Sequence, residues 1–218
     1  MSVRVRCPRC HGPVRPPDLM HSEWRCDECG PVAPLHLPAH IGPEVMAAAV
    51  SEVARHPERV PLWCPWPLPV GWTVTGVGWA GDEREGIRAT VLATTGPAPL
   101  TGGPADLLVV AEAPGVGLAS HLAGLSGPDP GPLLAEAMAG QPAHAKVRAG
   151  RHPAPLWSVP SAEGRSAYVG EANGVWLVGV AWPASAGYLL ADELVLSDLV
   201  DWLPPELVYG APSARLPG

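Results

Sequence analysis

The 218-residue chain is 47% hydrophobic and 16% charged, with a formal charge of −7 and a pI near 5.6. That length allows one sizeable domain plus a small module, with enough apolar content to bury a core. The acidic balance excludes global attraction to nucleic acid or anionic membranes, and the lack of Phe and the single lysine, Lys146, reflect composition bias rather than function.

Met1 runs into Arg4, Arg6 and Cys7 without an apolar stretch, the pattern of a chain lacking a secretory signal. CxxC pairs in such a setting read as metal ligands in a reducing cytoplasm, not as disulfides. The segment CPRCHGPVRPPDLMHSEWRCDECG, Cys7 to Gly30, holds four of the five cysteines as two such pairs, with fifteen residues between Cys10 and Cys26. Each CxxC turn presents two thiolates from one knuckle, and two facing knuckles complete a tetrahedron around Zn²⁺. Val3 and Val5 alternate with Arg4 and Arg6 before the first knuckle, and Trp24 precedes the second, as strands feeding a zinc ribbon would. Gly12 and Gly30 supply permissive backbone after each pair. Cys7, Cys10, Cys26 and Cys29 fill all four positions without His11 or His21, so the zinc is expected to be structural. Arg4, Arg6, Arg9, Arg15 and Arg25 lie near these thiolates in sequence. They either neutralise the site or form a face for nucleic acid.

Pro31 to His40 is too proline-rich for regular structure and is expected as an extended linker. GPEVMAAAVSEVARHP then opens a helix at Pro43, with Met46, Val50 and Val53 as its apolar stripe and Pro57 as its end. WCPWPLPVGW, Trp63 to Trp72, reads as an irregular loop whose tryptophans cap the core or present a ligand platform. Strands are predicted at TVTGVGWA, IRATVLATT and ADLLVVAEA, and short helices at GLASHLAGL and PLLAEAMA. HAKVRAG, APLWSV, SAYVGEA, GVWLVGVAW and GYLLADELVL are predicted as further strands. Asn173-Gly174 marks a hairpin, so the sheet should be mostly antiparallel. Asp192 to Leu203 is compatible with strand or helix. Ala172 to Ala191 is uncharged and as long as a membrane span, but Pro183 to Gly187 divides it into two buried strands. The Pro- and Gly-rich C-terminus reads as a loose tail.

Four patterns touch on chemistry. Gly115, Gly117 and Ser120 follow a strand as a dinucleotide fingerprint would, yet no second strand with a ribose-binding acid follows. Ser185 sits in a turn like a nucleophile elbow, but Pro183 replaces the first glycine. Cys64 reads as a buried, inert thiol. Asp129 in SGPDPGP reads as part of a rigid turn. The basic stripe in AHAKVRAGRH is stronger: His144, Lys146 and Arg148 alternate with Ala145 and Val147, which puts them on one face of a strand, with Arg151 and His152 following. This stripe is either a candidate phosphate or carboxylate site or an edge strand blunted with charge.

Taken together, CPRC…CDEC, WPLPVGW, GPDPGP, HAKV and DELVLSDL resemble an uncharacterised family of soluble actinobacterial proteins with an N-terminal zinc ribbon. The resemblance implies a cytoplasmic setting and no established activity. Some members carry a loose phosphotransacetylase label, but no acyl-phosphate or coenzyme A signature stands in this chain. The expected architecture is α+β: a zinc ribbon over 1–33, a linker and docking helix over 34–58, a mostly antiparallel body over 59–208 and a tail over 209–218. The expected function is a non-enzymatic binding or regulatory role through contacts with another protein. The alternatives are an anion-binding enzyme or sensor at the basic stripe and a nucleic-acid accessory role for the ribbon.

Overall fold

The computed structural model describes residues 2–56, 59–191 and 194–217. The molecule is mostly β-sheet, with a few short helices and an N-terminal cysteine cluster. In chain order its elements are β1 (Val3–Arg6), β2 (Val14–Arg15), β3 (Arg25–Cys26), β4 (Gly30–Pro31), β5 (Leu35–Pro38), α1 (Pro43–Ala54), β6 (Trp63–Pro65), β7 (Thr73–Asp82), β8 (Gly86–Pro97) and β9 (Pro104–Glu112). There follow α2 (Leu118–Ala123), α3 (Gly131–Gly140), β10 (Ala145–Ala149), β11 (His152–Val159), β12 (Ser166–Ala172), β13 (Val175–Trp182), a 3-10 turn (Ala184–Gly187), α4 (Tyr188–Ala191) and β14 (Val195–Asp198).

Eleven strands form one sheet in the order β1-β5-β7-β8-β9-β13-β12-β11-β10-β14-β6, and β2-β3-β4 form a small second sheet. Every neighbouring pair in the large sheet is antiparallel except β10 with β14. Its central strands read as continuous apolar runs because both faces are covered. On β9, Leu107 and Val109 enter one core while Leu108 and Val110 enter the other. Helices α1 and α4 pack on the first face, α2 and α3 on the second. The sheet curls around the first core, so that β6, at its far edge, touches β8 and β9. Thr90 of β8 donates its hydroxyl proton to the Pro61 carbonyl at this closure.

Local signals place several elements where they were predicted. Asn173 and Gly174 both take positive φ, 55° and 75°, and close the β12–β13 hairpin in the manner of a type I′ turn. Helix α1 opens at Pro43 and buries Val45, Met46, Ala49 and Val53; Val50 is only partly buried, and Pro57 lies outside the described residues.

Tertiary context overrides the local reading elsewhere. The expected linker contains β5, whose Leu35 and Leu37 are buried while His36 faces the other way, and β5 joins β1 to β7. The loop expected at Trp63 contains β6. Its Trp63 and Trp72 are buried, the cap over the core rather than a platform. GYLLA, expected as strand, is the 3-10 turn followed by α4, and no helix among the described residues is long and apolar enough to cross a membrane. Of the undecided Asp192–Leu203, Asp192 and Glu193 lie outside the described residues, Val195–Asp198 is strand and the remainder is turn and irregular. The C-terminal segment is docked rather than loose: Gly210 N–H donates to the Val74 carbonyl at 2.9 Å, Ser213 N–H to that of Thr75 at 2.9 Å, and Leu216 is buried in the second core.

One charged network holds the curled end. Asp198 Oδ2 accepts from Arg59 Nη1 at 2.8 Å, while its Oδ1 accepts the Leu62 and Val200 amides at 3.0 and 3.1 Å. Asp198→Ala orphans both amides and leaves the Arg59 guanidinium with Asp201 alone, at 3.0 Å from Nη2. The expected loss of stability is about 2–4 kcal/mol, read as a lower urea midpoint; a change within about 0.5 kcal/mol would show the network to be idle.

Candidate metal centre

The first knuckle begins one residue after β1. Cys7 N–H donates to the Gly12 carbonyl and His11 N–H to the Cys7 carbonyl, both at 2.9 Å, which turns the chain back on itself through His11 at φ 57°. Gly12 N–H donates to Cys10 Sγ at 3.4 Å. The second knuckle starts in β3 at Cys26 and turns through Gly30 at φ 74°. The four sulfurs of Cys7, Cys10, Cys26 and Cys29 lie within 4.8 Å of one another, a group able to hold a metal ion. Cys10 Sγ and Cys26 Sγ are 3.6 Å apart, far beyond a disulfide bond and near the ~3.8 Å edge of a tetrahedron with metal–sulfur bonds of about 2.3 Å.

The electrostatics favour a cation. Burial raises the Cys7 thiol well above its ordinary value. Burial also works to raise Cys26, but the N–H groups of Cys29 and Glu28 and the side chains of Cys10 and Cys7 outweigh it and bring that thiol down to about 7. Cys29 is raised, by burial first and then by Cys10. Four thiolates cannot coexist at this spacing without a positive charge among them, so metal uptake must expel protons.

Arg9, between the first two cysteines, fixes the module to the sheet. Its Nη2 donates to the Gly115 carbonyl at 2.7 Å, its Nε to Val116 at 3.1 Å and its Nη1 to Cys29 at 3.4 Å. The His11 ring lies 4.4 Å from that of His121 on α2, and burial, then His121 and Arg6, bring His11 down to about 4. Gly117, at φ 91°, accepts this docking because a Cβ there would stand 2.8 Å from Arg9 Cγ. Arg15 pairs with Asp27. Arg9 is thereby engaged within the protein, while the Arg15–Asp27 pair is exposed.

Glu112, absent from the sequence-based expectations, explains the glycine loop. It is fully buried at the end of β9, and its carboxylate accepts the amides of Gly117 at 3.3 Å and Ala119 at 2.9 Å. The place where a dinucleotide phosphate would sit is thus filled by the chain's own carboxylate, and Gly115 and Gly117 serve the docking of Arg9. Burial pushes the Glu112 carboxyl up to about 7, against the pull of the amides. Its only sequence signal is an acid closing an apolar strand.

The basic stripe is exposed as its alternation requires, but its strand is not an edge: β11 and β14 flank β10. Lys146, Arg148 and Arg151 line a groove of about 370 Å³ with Pro153 and Val195. His144 is turned aside, accepting Ser158 N–H at Nδ1 (3.2 Å) and donating from Nε2 to Gln141 Oε1 (2.9 Å). His152 is exposed, opposite Ala149 at the start of β11, and is not part of the groove lining. Ser185 lies in the 3-10 turn, and burial raises the Cys64 thiol to about 12. Asp129 accepts Gly131 N–H at 2.8 Å, a turn contact.

Two outcomes follow from this geometry. Cys26→Ser should release the metal and speed amide exchange in β1, β5 and the small sheet while β8, β9 and β13 stay protected; unchanged exchange in β1 and β5 would uncouple the metal from the sheet edge. For Glu112, a folded-state pKa above the unfolded one means the native state binds the extra proton, so its contribution to stability is present at low pH and lost as pH rises toward 7 and beyond. From pH 5 to 8 the wild type should lose on the order of 1–3 kcal/mol relative to Glu112→Gln. Parallel urea curves at the two pH values check this.

Comparison with curated proteins and with solved structures finds no match. One family model covers the cysteine module and the sheet as a single unit, and by that match over residues 1–216 the chain belongs to a family of unknown function, DUF6758.

Proposed function

We propose that this chain is a non-enzymatic binding protein of a reducing, cytoplasmic setting, in which a structural zinc ion stiffens an N-terminal module that docks another protein. Thiolate-only tetrahedra suit zinc or iron, and a set of four sulfurs leaves no open position for substrate. The observation that carries the docking role is the tip of the loop between the knuckles. Leu19 is fully exposed and Met20 is 85% exposed. The tip is nevertheless ordered: Asp18 Oδ1 accepts the amides of Met20 and His21, each at 2.8 Å, and Asp18 N–H donates to the His21 carbonyl at 2.8 Å. Two adjacent apolar side chains on a preorganised turn lose little entropy when a partner covers them.

A second reading, an anion-binding role, draws on the groove at Lys146, Arg148 and Arg151. A nucleic-acid role has less support, since Arg9 is tied to the Gly115 and Val116 carbonyls and the chain carries a net charge of −7. Metal analysis of the purified protein should return one zinc per chain. In capture from native lysate, the paired change Leu19→Asp and Met20→Asp should reduce the retained partner at least about tenfold, while Lys146→Ala leaves it unchanged. Equal capture by wild type and the paired variant would remove the tip from the interface, and a loss confined to Lys146→Ala would favour the anion groove.

A further inference from the structure

A cleft of about 540 Å³ opens where the cysteine module meets the large sheet; none of the four cysteines, neither tip residue and no residue of the basic groove lines it, although Pro17 and Ser22 beside the tip do. Its volume falls within the ~300–1,000 Å³ of small-molecule sites. The floor is aromatic and apolar. Trp79 and Ile87 are buried there, and the His36 ring stacks on Trp79 with centroids 5.6 Å apart and planes at 8°. Trp24, just before β3, lines the cleft from the module side. The rim is acidic, with Glu52 from the end of α1 and Asp82 and Glu83 from the β7–β8 turn. Glu52 Oε2 also accepts from Arg55 at 2.6 Å, and Asp82 Oδ1 accepts the Arg84 and Glu85 amides. The one arginine of the lining, Arg84, donates to the Ser22 carbonyl at 3.1 Å and so ties the module down.

His36 gives the cleft a directional contact. Its Nε2 is 3.1 Å from the Gly81 carbonyl and donates to it, which leaves Nδ1 as a lone-pair acceptor. Burial lowers the His36 pKa, keeping the ring neutral near pH 7. Indole faces and carboxylates attract organic cations, and a neutral imidazole nitrogen accepts an N–H.

We propose that this cleft binds a flat organic cation, an aromatic ring carrying a protonated amine, between Trp24 and the Trp79–His36 stack under the carboxylates of Glu52, Asp82 and Glu83. The test uses the metal-loaded full chain and two fluorescent probes of similar size, cationic 9-aminoacridine and anionic anilinonaphthalene sulfonate. The expected result is saturable one-to-one binding of 9-aminoacridine, weakened about tenfold by Trp24→Ala and by a similar factor in the double variant Glu52→Gln, Glu83→Gln. The double variant leaves the metal module untouched, so a Trp24→Ala protein that lost its fold would not shield the proposal. Sulfonate binding as tight as that of 9-aminoacridine, no cation binding up to millimolar probe, or a double variant that binds like wild type would each overturn it.

Discussion

Four sulfur atoms packed within 4.8 Å dominate one end of this protein. Left to themselves they repel as thiolates, and burial drives Cys7 to keep its proton. A divalent cation would reverse both tendencies and act as the cohesive element of a module too small to have a core of its own. The effect does not stop at the module. Cys7 follows directly on β1, and β1 pairs with β5 from Val3 opposite Pro38 to Arg6 opposite Leu35. Closing such a site would therefore anchor a four-residue strand at the edge of the large sheet, where pairing on one side alone is weakly held.

The contact between module and sheet reuses a backbone shape that elsewhere cradles phosphate. A glycine-rich turn between a strand and a helix exposes amides on one side and carbonyls on the other. Here Glu112 takes the amides of Gly117 and Ala119, and Arg9 takes the carbonyls of Gly115 and Val116. Both sides are satisfied by the chain itself. A glycine pattern reveals which conformations a loop can adopt; its occupant is decided by residues distant in sequence, in this case Arg9, more than 100 positions away.

That distinction separates what was legible in the sequence from what was not. The paired CxxC knuckles, the Asn173-Gly174 hairpin and the apolar runs of β8, β9 and β13 are set by neighbouring residues, and the structure places them as read. The proline-rich LHLP became a strand because β1 and β7 offered partners on either side and its Leu35 and Leu37 already alternated about His36. Tyr188–Ala191 turned helical although its composition suits a strand, since its Leu189 and Leu190 fill the first core beside the 3-10 turn. The C-terminal segment gained its order from β7 and from Leu216 in the second core, contacts that no local pattern announces. For the basic stripe, alternation gave the exposed face correctly, but only the topology shows β14 on the far side of β10.

The two proposed surfaces share one piece of chain. The loop from Cys10 to Cys26 is pinned at both ends by sulfurs, and its middle carries Leu19 and Met20 on a turn organised by Asp18. Pro17, next to Asp18, and Trp24, two residues before Cys26, line the cleft over Trp79. Cleft and tip are thus built from neighbouring residues of one loop. The four-cysteine cluster is therefore the element that cleft, tip and sheet edge share.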